Sequence, residues 1–484
     1  MNQPMELIPS KFPHLAIKAI APLICITFVG CVSRRGQDLA SEIQRNQDLE
    51  LPSQASAEAN LPSEQFAASD SHFWWEALED ETLNSLIRIA HEQSWDIRIG
   101  ATRLQEALSG LRSSRAALLP SVDLSLEETV NEFDVDSNEF QRETLRFTTD
   151  LNLNAVWQID VFGQARAALK DTKYEVAANE ELLRDLKRIV TSQVATTYLQ
   201  LRSTQAQISL AEQSEARRAD NLGRIDSLLE KGYATALDFS RTESQLYQSR
   251  ATLAGLKANE VQLTNQLSIL LGISLVEVRS LIPSGPLVQP PQKTPPPSVE
   301  QLIYNRPDIR ATEHRLYSGA YRLNAAKASR LPSLSLSSQI GSSASETGQL
   351  PSLERITANM IGSLVTPLLG RGRILAAIDL QSAQLQAAYL NYERGIANAL
   401  AEIDSALFSL SQSHEILRLR TLESNSARRA AELSHRLFLA GELDYTSVIV
   451  AEQTRSNAES NAIAAQRDAL TAYVNYVSVV SPRW

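Results

Sequence analysis

Leu119-Pro120-Ser121-Val122-Asp123-Leu124-Ser125-Leu126-Glu127 heads one half of this chain, and Leu331-Pro332-Ser333-Leu334-Ser335-Leu336-Ser337 heads the other. In each, apolar and polar residues alternate directly after a leucine-proline. The succeeding segments match too: a second alternating patch, a glycine turn, a very long helical pattern, another glycine turn and a return helix. The paired turns are Phe162-Gly163 with Leu369-Gly370 and Lys231-Gly232 with Ala440-Gly441, so the order recurs about 209 residues apart. For 484 residues this implies two copies of one unit in an elongated body, not a string of unrelated domains.

The alternation has the period of a β-strand with one face in an apolar medium and the other in water. Val122, Leu124, Leu126 and Val130 alternate with Ser121, Asp123, Ser125 and Glu127. Leu145, Phe147, Leu151, Leu153 and Trp157 alternate with Arg146, Thr148, Asp150, Asn152 and Asn154. The second copy supplies Leu334, Leu336 and Ile340, then a weaker strand near Ile356 to Thr366. Each segment is close to the ~10 residues that a tilted outer-membrane strand needs. A soluble β-domain would use the same period. In lipid, however, four strands leave open edges whose unpaired backbone groups cost several kcal/mol each, so strands placed there force oligomerisation. Three copies would bring twelve strands, enough to close a barrel around an aqueous lumen.

Between Gly163 and Gly232 the helical stretch has roughly 68 residues, about 100 Å of rod. The return helix, Tyr233 to Leu271, is about half as long, and Leu83 to Leu118 before the first strand is similar. Stacked end to end, those two match the long helix. The second copy repeats the arithmetic with Arg371 to Ala440 against Pro307 to Arg330 plus Leu443 to Val480. Each half is therefore expected to set one continuous helix beside two stacked shorter ones. Ile396, Leu400, Ile403, Leu407, Leu410 and Leu417 follow a heptad-like rhythm, and Leu182, Leu186, Ile189, Tyr198 and Leu201 follow it more loosely. Ala and Ser beside these seams permit close approach and a wall one helix thick. A plain dimeric coiled coil leaves the two strand interruptions unexplained.

A formal net charge of −10 argues against nucleic-acid binding through basic patches. The two cysteines, Cys25 and Cys31, both lie in the first 31 residues, so the body has neither a disulfide framework nor a cysteine metal site. The six histidines lack metal-ligand spacing, and no nucleophile-elbow, Walker or dinucleotide pattern occurs. The expectation is no enzyme and no cofactor. At the N-terminus, Lys11 and Lys18 precede or enter an apolar run from Ala19 to Val29, too short to span a membrane and typical of a secretion signal. Phe28-Val29-Gly30-Cys31 resembles a bacterial lipobox, in which cleavage leaves the cysteine as a lipid-carrying N-terminus. The competing reading is ordinary cleavage nearby with Cys31 unmodified. Val32, not aspartate, follows, so the common inner-membrane retention signal is missing.

This layout resembles the TolC-type outer-membrane efflux channels, nearest to the lipoprotein subgroup of RND multidrug efflux systems (NodT-like). Arg306-Pro307-Asp308-Ile309-Arg310 with Glu313 carries the resemblance, as do Ala117-Leu118-Leu119-Pro120, Trp157-Gln158-Ile159-Asp160-Val161-Phe162-Gly163 and the Asn475-Tyr476 region. It covers essentially residues 72 to 484. It implies a mainly α fold with a transmembrane β-barrel: two structural repeats, long coiled-coil helices and four strands per chain. The implied assembly is a homotrimer with a twelve-stranded barrel in outer-membrane lipid and a periplasmic α-helical tunnel. The implied partners are a periplasmic adaptor (membrane fusion protein) and an inner-membrane RND transporter, and the channel is a passive conduit for small molecules. On this reading residues 1–30 are the signal peptide and 31–71 a flexible tether from lipidated Cys31. Residues 72–282 and 299–484 are the repeats, with 283–298 a Pro-rich linker at an equatorial belt.

The resemblance also places a periplasmic constriction at the second glycine turn and the helix after it, built on an aspartate and an arginine. Val450-Ala451-Glu452-Gln453 stands there, with Val450 for the aspartate and Gln453 for the arginine. Glu442, Asp444 and Glu452 are the substitute gate residues; solvated helix-end charges are the competing account. A type I protein secretion channel shares the fold, as does a heavy-metal channel, for which scarce His, Cys and Met give no support. A periplasmic adaptor would instead set a helical hairpin between soluble β-domains.

Overall fold

The computed structural model describes residues 73–137, 140–283, 285–291, 305–344 and 356–480. The signal peptide, Cys31, the tether and most of the Pro-rich linker fall outside them. The described residues belong to one unit, Glu64–Trp484. A 3-10 turn, Trp74–Leu78, leads into α1 (Glu81–Gln93) and α2 (Trp95–Ala116). The hairpin β1 (Ser121–Ser137) and β2 (Phe140–Ile159) follows, then α3 (Gln164–Glu230), α4 (Ala236–Leu271) and the short α5 (Leu275–Leu281). The second copy runs α6 (Pro307–Ala328), β3 (Ser333–Ala344), β4 (Thr357–Val365), α7 (Arg371–Leu439) and α8 (Tyr445–Val480).

The long helices have 67 and 69 residues, each about 100 Å. Both start from a glycine in the left-handed region, Gly163 (φ 81°) and Gly370 (φ 79°), where a side chain would be strained. The turn before α3 explains the Trp157-to-Gly163 motif. Asp160 Oδ2 accepts from the Arg166 backbone N–H at 2.9 Å and from its Nε at 3.1 Å, locking strand to helix. At α6, Pro307 occupies the first turn, where its missing N–H costs nothing. Buried Arg306 donates to Asp308 at 2.7 Å and across to Glu402 on α7 at 2.7 Å. The Arg-Pro-Asp motif is thus a helix start tied to the neighbouring long helix.

Packing follows a lateral order. α2 and α4 lie against α3, α3 lies against α6 and α8, and these lie against α7. One long helix beside two stacked shorter ones therefore occurs twice. The main core sits midway along α3, where α1, α5 and the ends of α4 and α8 converge on Val194, Tyr198, Leu267, Leu271, Tyr476 and Val477. Burial, then the hydrogen bond from its hydroxyl to Asp80, pushes Tyr198 up to about 12. Buried Arg202 donates to the same hydroxyl at 2.8 Å and to the Pro283 carbonyl, fastening the start of the linker to α3.

Two details differ from the sequence reading. Leu83 to Leu118 is not one helix, because Ser94 is extended (φ −52°, ψ 130°) and divides it into α1 and α2. The bend folds α1 over the core, where Leu83, Leu86, Ile87 and Ala90 are buried. The first hairpin is also far longer than ~10 residues, with strands of 17 and 20, whereas the second has 12 and 9. Antiparallel pairing satisfies its own backbone, so the ladder continues past the apolar band up to the Ser137↔Phe140 pair.

Gly272 closes α4 at φ 70°, and a Cβ there would meet the Gln93 carbonyl. Gly232 has φ 78° but open space around it. Alanine at either position is expected to cost about 1–2 kcal/mol for the backbone conformation alone. Gly272→Ala adds a backbone clash, so its heat-denaturation midpoint should fall well below that of Gly232→Ala.

Candidate functional site

The four strands form one antiparallel sheet in the order β1-β2-β3-β4. Its register sorts residues into rows. One face carries Leu124, Leu153, Ile340 and Ala358, with Val122, Ala155, Ser338 and Met360 in the next row, then Trp157, Leu336 and Gly362, and last Ile159, Leu334 and Leu364. The other carries Asp123, Asn154, Gln339 and Asn359, then Ser125, Asn152, Gly341 and Thr357, then Glu127, Asp150 and Ser343. Leu124 is 71% exposed, Leu364 68% and Met360 73%, so the described residues leave these positions of the apolar face uncovered. Phe147 and Trp157 lie ten residues apart on β2, about 25 Å of height at a typical barrel tilt. That is the span of an apolar band between aromatic girdles. Trp157 Nε1 also donates to the Leu118 carbonyl at 3.1 Å.

At the far end of the helices the two copies solve one turn identically. The Tyr233 N–H reaches the Leu228 carbonyl at 2.8 Å, the Glu442 N–H reaches Leu437 at 2.9 Å, and Gly232 and Gly441 take positive φ. This is the glycine-terminated helix stop. Thr235, three residues past Gly232, caps α4 with Asp238 in a reciprocal pair. Asp444, three past Gly441, occupies the equivalent place on α8. It accepts from the Ser447 N–H at 3.3 Å and from the Ser447 hydroxyl at 2.5 Å. The hydroxyl bond is the larger influence holding its carboxyl below the ordinary value.

The gate candidates are therefore not equivalent. Glu442 is exposed at the turn, beside Asp444, which is engaged as a cap. Glu452 lies two turns along α8, half-buried, 3.8 Å from Arg455. Val450 is exposed, and Gln453 accepts at 2.8 Å from Arg218 on α3. Farther along, buried Glu459 accepts from Arg428 on α7 at 3.1 Å and from Arg455 at 3.2 Å. Arg218 escaped the sequence reading because it sits, like many arginines, inside a long polar helix. The usable signal was indirect: a glutamine where an arginine was expected leaves a place for one to arrive from elsewhere.

No group of His, Cys, Asp or Glu among the described residues could hold a metal, and no single described helix is long and apolar enough to cross a membrane. The family model described as outer membrane efflux protein matches residues 86–273 and 298–478. The chain belongs to the outer membrane efflux protein family. It is an outer-membrane efflux channel rather than an enzyme, which removes the periplasmic-adaptor reading. Over 419 residues it is 26% identical to the pyoverdine export outer membrane protein OpmQ of Pseudomonas putida, covering 85% of this chain and 88% of that protein. It is 25% identical over 382 residues to the cation efflux system protein CusC of Escherichia coli, covering 79% and 82%. The outer-membrane channel OprN superposes with a TM-score of 0.79 at 23% identity, over 89% of this chain and 96% of that one.

The two sheet faces give the efflux channel an internal control. Leu124→Arg, on the apolar face, is expected to cost about 2–4 kcal/mol of folding into bilayers. Ser125→Arg, next along the strand but on the polar face, should cost much less. Refolding yield into lipid vesicles in a urea series reads the difference.

Proposed function

We propose that three copies close into one continuous pore, with the sheets forming a twelve-stranded barrel and the helices a periplasmic tunnel. The observation that carries this is the pair of unpaired sheet edges. β1 and β4 bound opposite sides of the sheet, and each offers a full row of backbone donors and acceptors. The helices follow a matching lateral order: α2, which leads into β1, and α4 flank α3 at one border, while α7, which follows β4, stands at the other, so one copy's left flank fits the next copy's right flank. Such a head-to-tail contact closes into a ring when its rotation allows.

In this reading residues 72–282 and 299–484 are the two repeats, and 283–298 joins them at the tunnel's equator. A periplasmic adaptor joins the tip to an RND transporter that supplies the energy. The cargo is small molecules, drugs and toxic compounds. OpmQ is named for pyoverdine and CusC for cations, so overall likeness does not choose the cargo; two cysteines and three methionines in the whole chain favour organic compounds over soft metals. Glu442, Asp444 and Glu452 line the closed tip, Glu442 with its charge free and Asp444 while capping α8.

The test is the detergent-extracted, full-length protein, sized by light scattering and then inserted into planar bilayers. A trimer with discrete conductance steps is expected. A water-soluble, stable single subunit would overturn the pore. The double variant Glu442→Gln/Asp444→Asn keeps a helix cap, since asparagine caps as well as aspartate. It should raise conductance and alter block by divalent cations; unchanged traces would remove both residues from the gate.

Lipid anchoring through Cys31 is the remaining proposal, supported by Phe28-Val29-Gly30-Cys31. Several acyl chains, at about 0.8 kcal/mol per buried methylene, hold a terminus firmly in a bilayer. Cells fed radiolabelled palmitate should label the wild type and not Cys31→Ser; an unlabelled wild type means ordinary cleavage.

A further inference from the structure

The four joints between strand and helix lie at one end of the sheet, because β1 and β3 start there and β2 and β4 finish there. Each joint brings two basic residues. Arg112 and Arg115 stand near the end of α2, and Arg166 and Lys170 near the start of α3. In the second copy Lys327 and Arg330 precede β3, and Arg371 and Arg373 open α7. All eight are exposed. Across residues 110–120, 159–170, 323–332 and 366–378 the only acid is Asp160, in a chain whose formal net charge is −10. The concentration of positive charge is therefore local to the rim of the sheet.

The two copies treat this charge differently. Asp160 neutralises Arg166 at 3.1 Å. Counted from Gly163 and Gly370, Arg373 stands where Arg166 does, and Pro367 stands where Asp160 does. Arg371 donates to the Pro367 carbonyl at 3.3 Å, and Arg112 to the Ser109 hydroxyl at 2.9 Å. Among the described residues, Arg166 alone of the eight lies in an ion pair. The next carboxylates down α3, Asp171 and Glu175, are taken by Arg322. Between these charges and the sheet stand Leu119, Phe162, Leu368 and Leu369, and Leu369 is 94% exposed. Hydrocarbon-facing residues above and free cations below have the layering of a bilayer interface, where long basic side chains lay their stems on apolar surface and reach headgroups with their ends.

We propose that the joints form a collar that binds anionic phospholipid headgroups in the leaflet on the helix side of the sheet, with Arg371 and Arg373 as its strongest contacts. The collar rests on the reading of the sheet as part of a membrane barrel and adds the lipid it gathers. Charge complementarity selects the occupant. Guanidinium groups take a phosphate as a fork, and a headgroup with net negative charge brings no cation of its own to compete. Its acyl chains cover Leu368 and Leu369, which a free anion would leave in water.

The test places the full-length protein in mixed phosphatidylcholine–phosphatidylglycerol vesicles, with bromine on the acyl chains of one lipid or the other. Bromine quenches a tryptophan it touches. Trp157 lies on the apolar face beside the joints, whereas Trp74 and Trp75 are buried in the core and Trp95 starts α2 at its far end. At equal mole fraction, brominated phosphatidylglycerol should quench several-fold more than brominated phosphatidylcholine, and the excess should shrink as salt rises. Arg112→Gln/Arg115→Gln/Arg371→Gln/Arg373→Gln should lose the excess, and Arg224→Gln/Arg436→Gln, near the tip, should keep it. If the fourfold variant does not assemble, Pro367→Asp serves: it supplies the carboxylate of the first copy and should lower the excess with every arginine in place. Equal quenching of the wild type by both lipids would overturn the collar alone. So would loss of the excess to inorganic phosphate at constant ionic strength, which would mark a site for free anions. A wild type quenched by neither lipid is outside the bilayer, and the barrel reading falls with the collar.

Discussion

Hydrocarbon offers no hydrogen bonds, and most of the molecule's design stems from that. A strand edge that is harmless in water leaves each N–H and C=O uncompensated in lipid, at several kcal/mol per group. The chain folds a sheet with a mainly apolar face that crosses all four strands, then leaves β1 and β4 as its borders. Neither β1 nor β4 carries a proline, so both borders keep their backbone N–H groups available to a docking strand. Only strands of matching register and facing can satisfy them, and another copy of the chain presents both.

The helices carry the same incompleteness in a different form. α3 has neighbours on both flanks and buries many residues along its length, Val176, Val194, Leu201 and Ile225 among them. α7 is two residues longer yet buries few, and leaves Phe408, Ile416, Leu419, Leu422 and Leu433 in solvent. Two helices with the same place in the repeat should have the same surroundings. The difference is that the flank α3 gives to α6 and α8 has no counterpart beyond α7 within one chain. An apolar stripe on a rod about 100 Å long is costly to leave in water, at roughly 25 cal/mol for each Å² uncovered.

Much of this was legible because the decisive signals are local. Period-two alternation located all four strands, and the glycines placed both ends of both long helices to within a residue or two. These features depend on backbone conformation and on which medium each face meets. What escaped depends on distant residues. The break at Ser94 comes from α1 folding over a core built by α3, α4 and α8. The overlong first hairpin comes from self-sufficient backbone pairing, which needs no apolar pattern. The cap that Asp444 forms on α8 also escaped, since a lone aspartate after a glycine turn does not announce whether it caps, lines a pore or does both. Comparison with Thr235, at the same offset from Gly232, would have suggested the cap. Arg218 left only an indirect trace, the glutamine at position 453, because its meaning lies in a contact 235 residues away.

The polar face of the sheet carries a tension that bears on selection. Glu127 stands directly across from Asp150, with Asp123 two rows below on the same face. Like charges in opposed positions weaken a strand pair. On a lipid face such a pair would be intolerable, but a face toward water screens it within about 8–10 Å at physiological salt. A row of carboxylates attracts any cation and repels any anion, whatever its shape, so it governs passage without recognising cargo. Recognition needs a concave site with convergent polar groups, which one row of carboxylates along a sheet does not make. Along this face the sorting is therefore by sign of charge, with the shape of a solute left unread.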